Sequence, residues 1–410
     1  MHAPAPTGRR RPRLAAVLLA LLALTASPAP VARAQAPNAE LAPWLDGLTL
    51  PVSLTPVGDA DGHVLITELE GLVRWASAGA LRPDPFLDLR HRVTGLQGEQ
   101  GLFSVALEPA ARAAARGRPR QLVAAFTEIG SGDLVVAAYP VDEARSVADP
   151  ARETVILRVP MPEPFHHGGQ VRFGADGLLY VSVGEGQRDP AWWASPPWPA
   201  QSLASLRGKV LRLDLLPPDG AAYAVPAENP FVAAPDPPEG PLRPEVWALG
   251  FRNPWKFTFE SAGALLVADV GEDRWETVHR AVAGSNHGWP VREGPECLVL
   301  PDGSGRVDPA CDPDTFAPPW LSYGHPALDP RGGLAVVGGV RVRDPALSAL
   351  AGRYLFGDFV TGRLWAADAG GGERTLLLET GLPLTAIEEG PDGEVLVVSI
   401  EGHVRRLVAP

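Results

Sequence analysis

From about residue 50 onward the apolar positions come in short runs, each opened by a glycine turn and followed by a second short run. Runs this brief, rich in Val, Ile, Leu and Tyr, suit strands buried between neighbouring sheets rather than helices. One plan recurs along the chain. Asp61-Gly62 leads into His63 to Glu70, and Gly71 then turns into Leu72 to Trp75. Asp176-Gly177 leads into Leu178 to Gly186, and Gly263 into Ala264 to Gly271. Gly352 leads into Arg353 to Thr361 before Gly362, and Asp392-Gly393 into Glu394 to Glu401 before Gly402. Asp-Gly favours such hairpins because glycine accepts positive φ. Helical spacing is nearly absent after residue 35, save a turn or two at Pro109 to Arg116.

Repeated hairpins of this kind predict an all-β chain, and their irregular spacing fits six units of four strands closed radially: a six-bladed β-propeller over residues 35–410. A pair of β-sandwich domains ranks lower, because no low-complexity linker divides the chain between residues 50 and 405. The proline-rich stretches 190–199 and 226–244 read as long loops on the face where binding residues gather.

Composition changes the picture at the ends of the chain and in its charge. Residues 1–34 combine Arg9, Arg10, Arg11 and Arg13 with the apolar run Leu14 to Ala26 and the small-residue sequence Ala32-Arg33-Ala34. That is the pattern of a secretory signal peptide, and the run is short for a membrane helix, which needs about 20 residues. Removing five arginines and no acids takes the net charge from -12 to -17. An acidic protein, periplasmic or secreted, with no membrane span in its mature chain, is expected. The same charge argues against nucleic acid as a partner. Cys297 and Cys311 are the only cysteines. In an oxidising compartment they read as a loop disulfide rather than half of a zinc site.

Three clusters carry candidate chemistry. Phe165 to Gln170 places His166 and His167 beside two glycines at the start of a strand, where adjacent side chains point to opposite faces, so at most one of the pair serves a site. Trp247 to Trp255 contains Arg252 and Asn253, the arginine fork being suited to an anion or to quinone oxygens. Asp269 to Glu276 and Gly284 to Pro290 offer carboxylates and bent backbone, the oxygen set calcium prefers, though a solvated acidic loop reads the same way.

Taken in order, these phrases resemble the glucose/sorbosone dehydrogenase family, soluble aldose dehydrogenases that use pyrroloquinoline quinone (PQQ) and calcium on a six-bladed propeller. The resemblance runs through Gly98-Glu99-Gln100-Gly101-Leu102, His166 to Gly169, Leu206 to Arg212, Arg252-Asn253-Pro254-Trp255, Asp269-Val270-Gly271, Asn286 to Pro290 and Phe356 to Phe359. It implies that His166 is the catalytic base, that Glu99, Arg252 and Asn253 attend the cofactor, and that Gly271, Glu272, Glu276 and the position of His287 hold calcium. It further implies oxidation of an aldose at the anomeric carbon to a lactone, with the hydride passing to the quinone and Arg252 stabilising the charge that develops.

The chain departs from the family pattern at three places. His167 stands where asparagine is usual, and His287 where tyrosine is usual. The arginines expected just before the last Pro-Asp-Gly turn are missing from Pro383 to Gly390. PQQ is a tricarboxylate, so Arg331, Arg341 and Arg363 are the candidates to replace that charge. The non-enzyme alternative is an exported propeller that binds a carbohydrate or a protein through the same face. A metal-dependent lactone hydrolase is a third reading, without matched motifs. Trp192, Trp193 and Trp198 are equally suited to stacking on a sugar ring and to packing.

Overall fold

In each of six sheets the first strand is the innermost, and these six strands pack side by side in a closed ring. The computed structural model describes residues 39–77, 79–94, 97–144, 146–187, 196–217, 219–260, 263–298, 308 and 312–410. The expected export signal, Trp192, Trp193 and Cys311 lie outside them. Cys297 is disulfide-bonded.

The inner strands are Pro51–Pro56, Leu102–Leu107, Gly168–Phe173, Pro254–Phe259, Val336–Arg341 and Leu384–Glu389. Each is followed outward by antiparallel partners, as in Val64–Glu68 and Leu72–Ser77 of the first blade. The sixth blade is completed by the other end of the chain: Glu40–Leu45 pairs antiparallel with His403–Val408. That pairing gives the sixth blade its outermost strand and ties the two ends of the ring together. The chain is a six-bladed β-propeller, and the short helix Ala110–Ala115 lies within the stretch whose spacing predicts it.

The apolar runs are continuous rather than alternating because both faces of a blade are covered by its neighbours. Six apolar clusters fill the six gaps between blades. Leu266 and Val278 of the fourth blade, for instance, meet Phe356 and Trp365 of the fifth.

Two repeated devices shape the mouth of the axis. Every inner strand opens with a register irregularity: between Pro51 and Ser53, Leu102 and Ser104, Gly168 and Val171, Pro254 and Lys256, Val336 and Gly338, and Leu384 and Ala386. Such bulges re-aim a side chain, and the bulged residues Val52, Trp255, Val337 and Thr385 line a cavity of about 300 Å³ on the axis. In four blades, the last residue of the second strand accepts backbone N–H groups from the loop leading into the inner strand. Glu68 holds Thr49, Thr127 holds Gly101, Asp269 holds Arg252 and Asn253, and Asp358 holds Leu334 and Ala335. The mouth loops are thereby fixed by buried acceptors that the folded backbone itself satisfies.

Candidate functional site

The third blade departs from this plan. Its second strand runs into Gly184-Glu185-Gly186, and Glu185 turns toward the loop that carries His166. A Cβ at Gly184 would lie 1.9 Å from the His166 carbonyl oxygen, so only glycine lets the two segments meet. His166 itself has φ +54, a left-handed conformation that costs a non-glycine residue energy and that its surroundings must hold in place.

The hold comes from Glu99. Its Oε2 accepts the His166 backbone N–H at 2.8 Å and faces the Asn253 Nδ2 at 3.4 Å. Asn253 Oδ1 in turn accepts the Gly168 N–H at 3.0 Å. Thus Glu99, His166, Gly168 and Asn253, which span 154 positions of sequence, are tied into one hydrogen-bonded set. His166 Nδ1 lies 3.4 Å from Glu185 Oε1. Burial lifts the Glu185 carboxyl well above the usual carboxylate range despite the nearby Arg252 cation, and its other oxygen accepts the Trp289 indole N–H. Glu185 was missed by sequence reasoning. The signal for it was the polar residue that closes the second strand of other blades.

Arg252 is buried beside this set. It is ion-paired with Glu272, donates to the Val270 carbonyl at 3.1 Å and lies over the Trp289 ring at 5.6 Å. Burial alone would weaken its hold on the proton, but Glu272 and Glu185 outweigh it and raise the pKa. Beneath its backbone, burial pushes the Asp269 carboxyl up to about 7.

The expected calcium residues have other partners. Glu276 is fully buried, with Oε1 facing His325 Nε2 at 2.9 Å and Oε2 accepting N–H groups from Val336 at 2.9 Å and Gly271 at 3.3 Å. Glu293 Oε1 accepts four successive backbone N–H groups, those of Glu272, Asp273, Arg274 and Trp275. The His287 ring packs 4.5 Å from that of His279, on the far side of Arg252. Among the described residues no three His, Cys, Asp or Glu side chains are grouped to hold a metal ion.

The axial cavity is lined by Glu99 and Asn253 but not by His166 or Arg252, which are 4% and 6% exposed. Its walls include Leu69, Val270, Val336, Phe359, Leu384 and Ile400, and among the described residues no arginine or lysine lines it. Arg341 pairs with Glu260, Arg363 with Glu379, and Arg331 is exposed, so none of the three replacement candidates reaches the wall. Lys256 is held below Trp255, with its Nζ 4.4 Å from the ring centroid. Burial pushes this amine down to about 7. Trp198 does not line the cavity.

Comparison with known proteins places these features in a lineage. A family model described as Glucose / Sorbosone dehydrogenase matches residues 48–406. The chain is 34% identical over 232 residues to the HIPL1 protein of Arabidopsis thaliana, covering 53% of this chain and 32% of that one. It is 31% identical to the mouse Hedgehog-interacting protein over 51% of this chain and 30% of that one. With the aldose sugar dehydrogenase YliI of Escherichia coli it shares 28% identity over 60% of each chain. The match therefore spans about a third of the length of the plant and mouse relatives. Among solved structures, the apo-form of the E. coli soluble aldose sugar dehydrogenase superposes with a TM-score of 0.68 at 22% identity, covering 90% of this chain and 99% of that one. The PQQ-bound aldose sugar dehydrogenase of Streptomyces coelicolor gives 0.62 at 21%, covering 91% and 99%. At these identities the two structures bear on the fold. No helix among the described residues is long and apolar enough to cross a membrane.

Proposed function

The chain belongs to the glucose/sorbosone dehydrogenase family, and from that premise we propose that it is an exported oxidoreductase. It oxidises aldose sugars at the anomeric carbon to lactones, with PQQ as hydride acceptor and calcium beside it. The observation that carries this reading is the set of His166, Glu99, Asn253, Glu185 and Arg252, joined by hydrogen bonds and charge at the mouth of one axis.

The donor set fits one end of PQQ better than the other. An apolar cavity of about 300 Å³ with Trp255 and Asn253 in its wall suits a flat aromatic ring. Arg252 is a buried cation whose Nε has no partner among the described residues. Among the described residues Glu99 is the only charged one lining the cavity, so none of them supplies counter-charge to the carboxylate end. Calcium would be held by the main chain at Gly271 and by the carboxylate of Glu272, with Glu276 and the backbone at His287 in support. There it would compete with His325 and two N–H groups for Glu276.

When bound, PQQ supplies a two-electron acceptor and calcium a Lewis acid. His166 takes the proton of the anomeric hydroxyl at Nε2, while Glu185 faces its Nδ1 and orients the ring. Glu99 and Asn253 hold the His166 loop in its strained conformation and place polar groups at the cavity wall. The apolar residues of the cavity wall would limit water near the reacting carbon.

A second reading, a propeller that binds a carbohydrate or protein without a redox cofactor, is favoured by the same cation-poor wall. Exposed Phe359, Val360 and Leu334 beside the cavity point the same way, as do relatives named for an interaction. One experiment separates the two. Purified protein is given PQQ and calcium, and dye reduction with glucose and other aldoses is followed in the wild type and in His166→Ala. Turnover that falls by orders of magnitude in the variant, with an unchanged thermal melt, supports the oxidoreductase. Absence of turnover in the wild type favours the binding propeller.

A further inference from the structure

Beside Arg252 lies a second, small cavity of about 10 Å³, lined among others by Arg252, Arg292, His279 and His287. Three of these side chains each bury one polar atom that has no partner among the described residues: Arg252 Nε, His279 Nδ1 and His287 Nδ1. Both carboxylates on the cavity wall already hold backbone N–H groups. Asp269 receives the N–H groups of Arg252 and Asn253, and Glu293 Oε1 receives four more.

Hydroxyl protons decide which histidine nitrogens carry hydrogen. Thr277 Oγ1 lies 3.1 Å from the Asp269 carbonyl oxygen and 3.1 Å from His279 Nε2. Ser285 Oγ lies 2.8 Å from the Val282 carbonyl oxygen and 3.0 Å from His287 Nε2. A hydroxyl has one proton, and a carbonyl oxygen can only accept, so giving that proton to the carbonyl makes each imidazole the Nε2–H donor. Each Nδ1 is then a bare lone pair. The opposite assignment would put two Nδ1–H groups and the Arg252 Nε–H in one space, three donors with no acceptor in reach among the described residues. Burial keeps both rings neutral, pushing His279 down to about 3 and His287 well below its ordinary value.

Two acceptors and one donor around a space of one water's size match the bonding capacity of a single water molecule. We propose that an ordered water occupies this cavity, donating to His279 Nδ1 and His287 Nδ1 and accepting from Arg252 Nε–H. His279 and His287 are thereby positioning residues for Arg252. The guanidinium is held from three sides: Val270 and Glu272 take its terminal nitrogens, and the bridge takes Nε. His287, which departs from the tyrosine of the family phrase, supplies a ring nitrogen that tyrosine lacks. The inference concerns this chain's own side chains and stands whether or not PQQ binds.

The test needs no cofactor. In the uniformly 15N-labelled wild-type protein at neutral pH, His279 and His287 should both show a pyridine-type Nδ1 and a pyrrole-type Nε2. A high-resolution crystal structure should show one water within hydrogen-bonding distance of all three atoms. Exchange of the Arg252 Nε–H should speed up about tenfold in His287→Phe and return toward the wild-type rate in His287→Gln, whose amide oxygen can accept. A pyrrole-type Nδ1 on either ring, an empty cavity, or an anion in it revealed by bromide anomalous scattering would overturn the proposal. Should His287→Phe fail to fold, the two wild-type measurements still decide.

Discussion

Replacing His167 by asparagine should remove one measurable share of the acid sensitivity of the fold. The ring is 1% exposed, stacks 5.7 Å from Phe103 and has no hydrogen-bond partner for either nitrogen among the described residues. Burial alone pushes this imidazole down to about 4. The unfolded chain takes a proton near the ordinary value of 6.5, whereas the folded chain resists until about pH 4. The stabilising contribution is therefore complete above about 6.5 and is lost as pH falls toward 4. At about 1.4 kcal/mol per pKa unit, the loss reaches about 3 kcal/mol by pH 4. Asparagine does not titrate, so the same measurement on His167→Asn should be flatter by that amount, even if its absolute stability is lower. The assay is guanidinium unfolding followed by tryptophan fluorescence at pH 7, 5.5 and 4. A second variant, His167→Phe, keeps the ring contact with Phe103. If both variants lose stability with acid as steeply as the wild type, His167 is not the buried neutral group described here.

Three further outcomes follow from the same geometry. Placing a cation at the half-buried cavity wall, as in Ile400→Arg, should tighten PQQ binding about tenfold or more, since a hydrogen bond to a charged group is worth about 1.5–3 kcal/mol. The gain, read by absorbance titration, should shrink at high salt. Asp269 has the opposite linkage sign to His167. Its carboxyl is raised to about 7, so its contribution is present below 3.8 and lost as pH rises through 7, and Asp269→Asn should flatten the unfolding profile over that window. Glu276→Gln leaves His325 and the Val336 and Gly271 N–H groups sharing one acceptor oxygen. Calorimetry should show a loss of about 2–4 kcal/mol.

Much of the fold was legible because the signals were local and repeated. Asp-Gly turns and short β-type runs mark the hairpins, and the same plan recurring along the chain implies radial closure. The inner-strand bulges were not legible, since register belongs to a pair of strands and neither sequence alone contains it. At the site, Glu99, His166, Arg252 and Asn253 could be named from the ordered phrases. Glu185 could not, although it follows closely on the hairpin strand of one of the repeats. Its importance rests on burial and on a 3.4 Å approach to His166 that only the fold brings about. The missing arginines of the last blade were visible in the sequence. That Arg331, Arg341 and Arg363 do not make up for them became clear only when two were found paired with acids and the third exposed.

The central claim, that the axial mouth of this acidic propeller takes PQQ with the help of calcium, is tested most directly by equilibrium dialysis of PQQ against the purified wild-type chain, with and without calcium. The account predicts saturable retention of one PQQ per chain, no tighter than about micromolar at moderate salt because no described residue of the wall is a cation, and strengthened by calcium. No retention under either condition would contradict it and leave a propeller whose axial mouth serves another ligand.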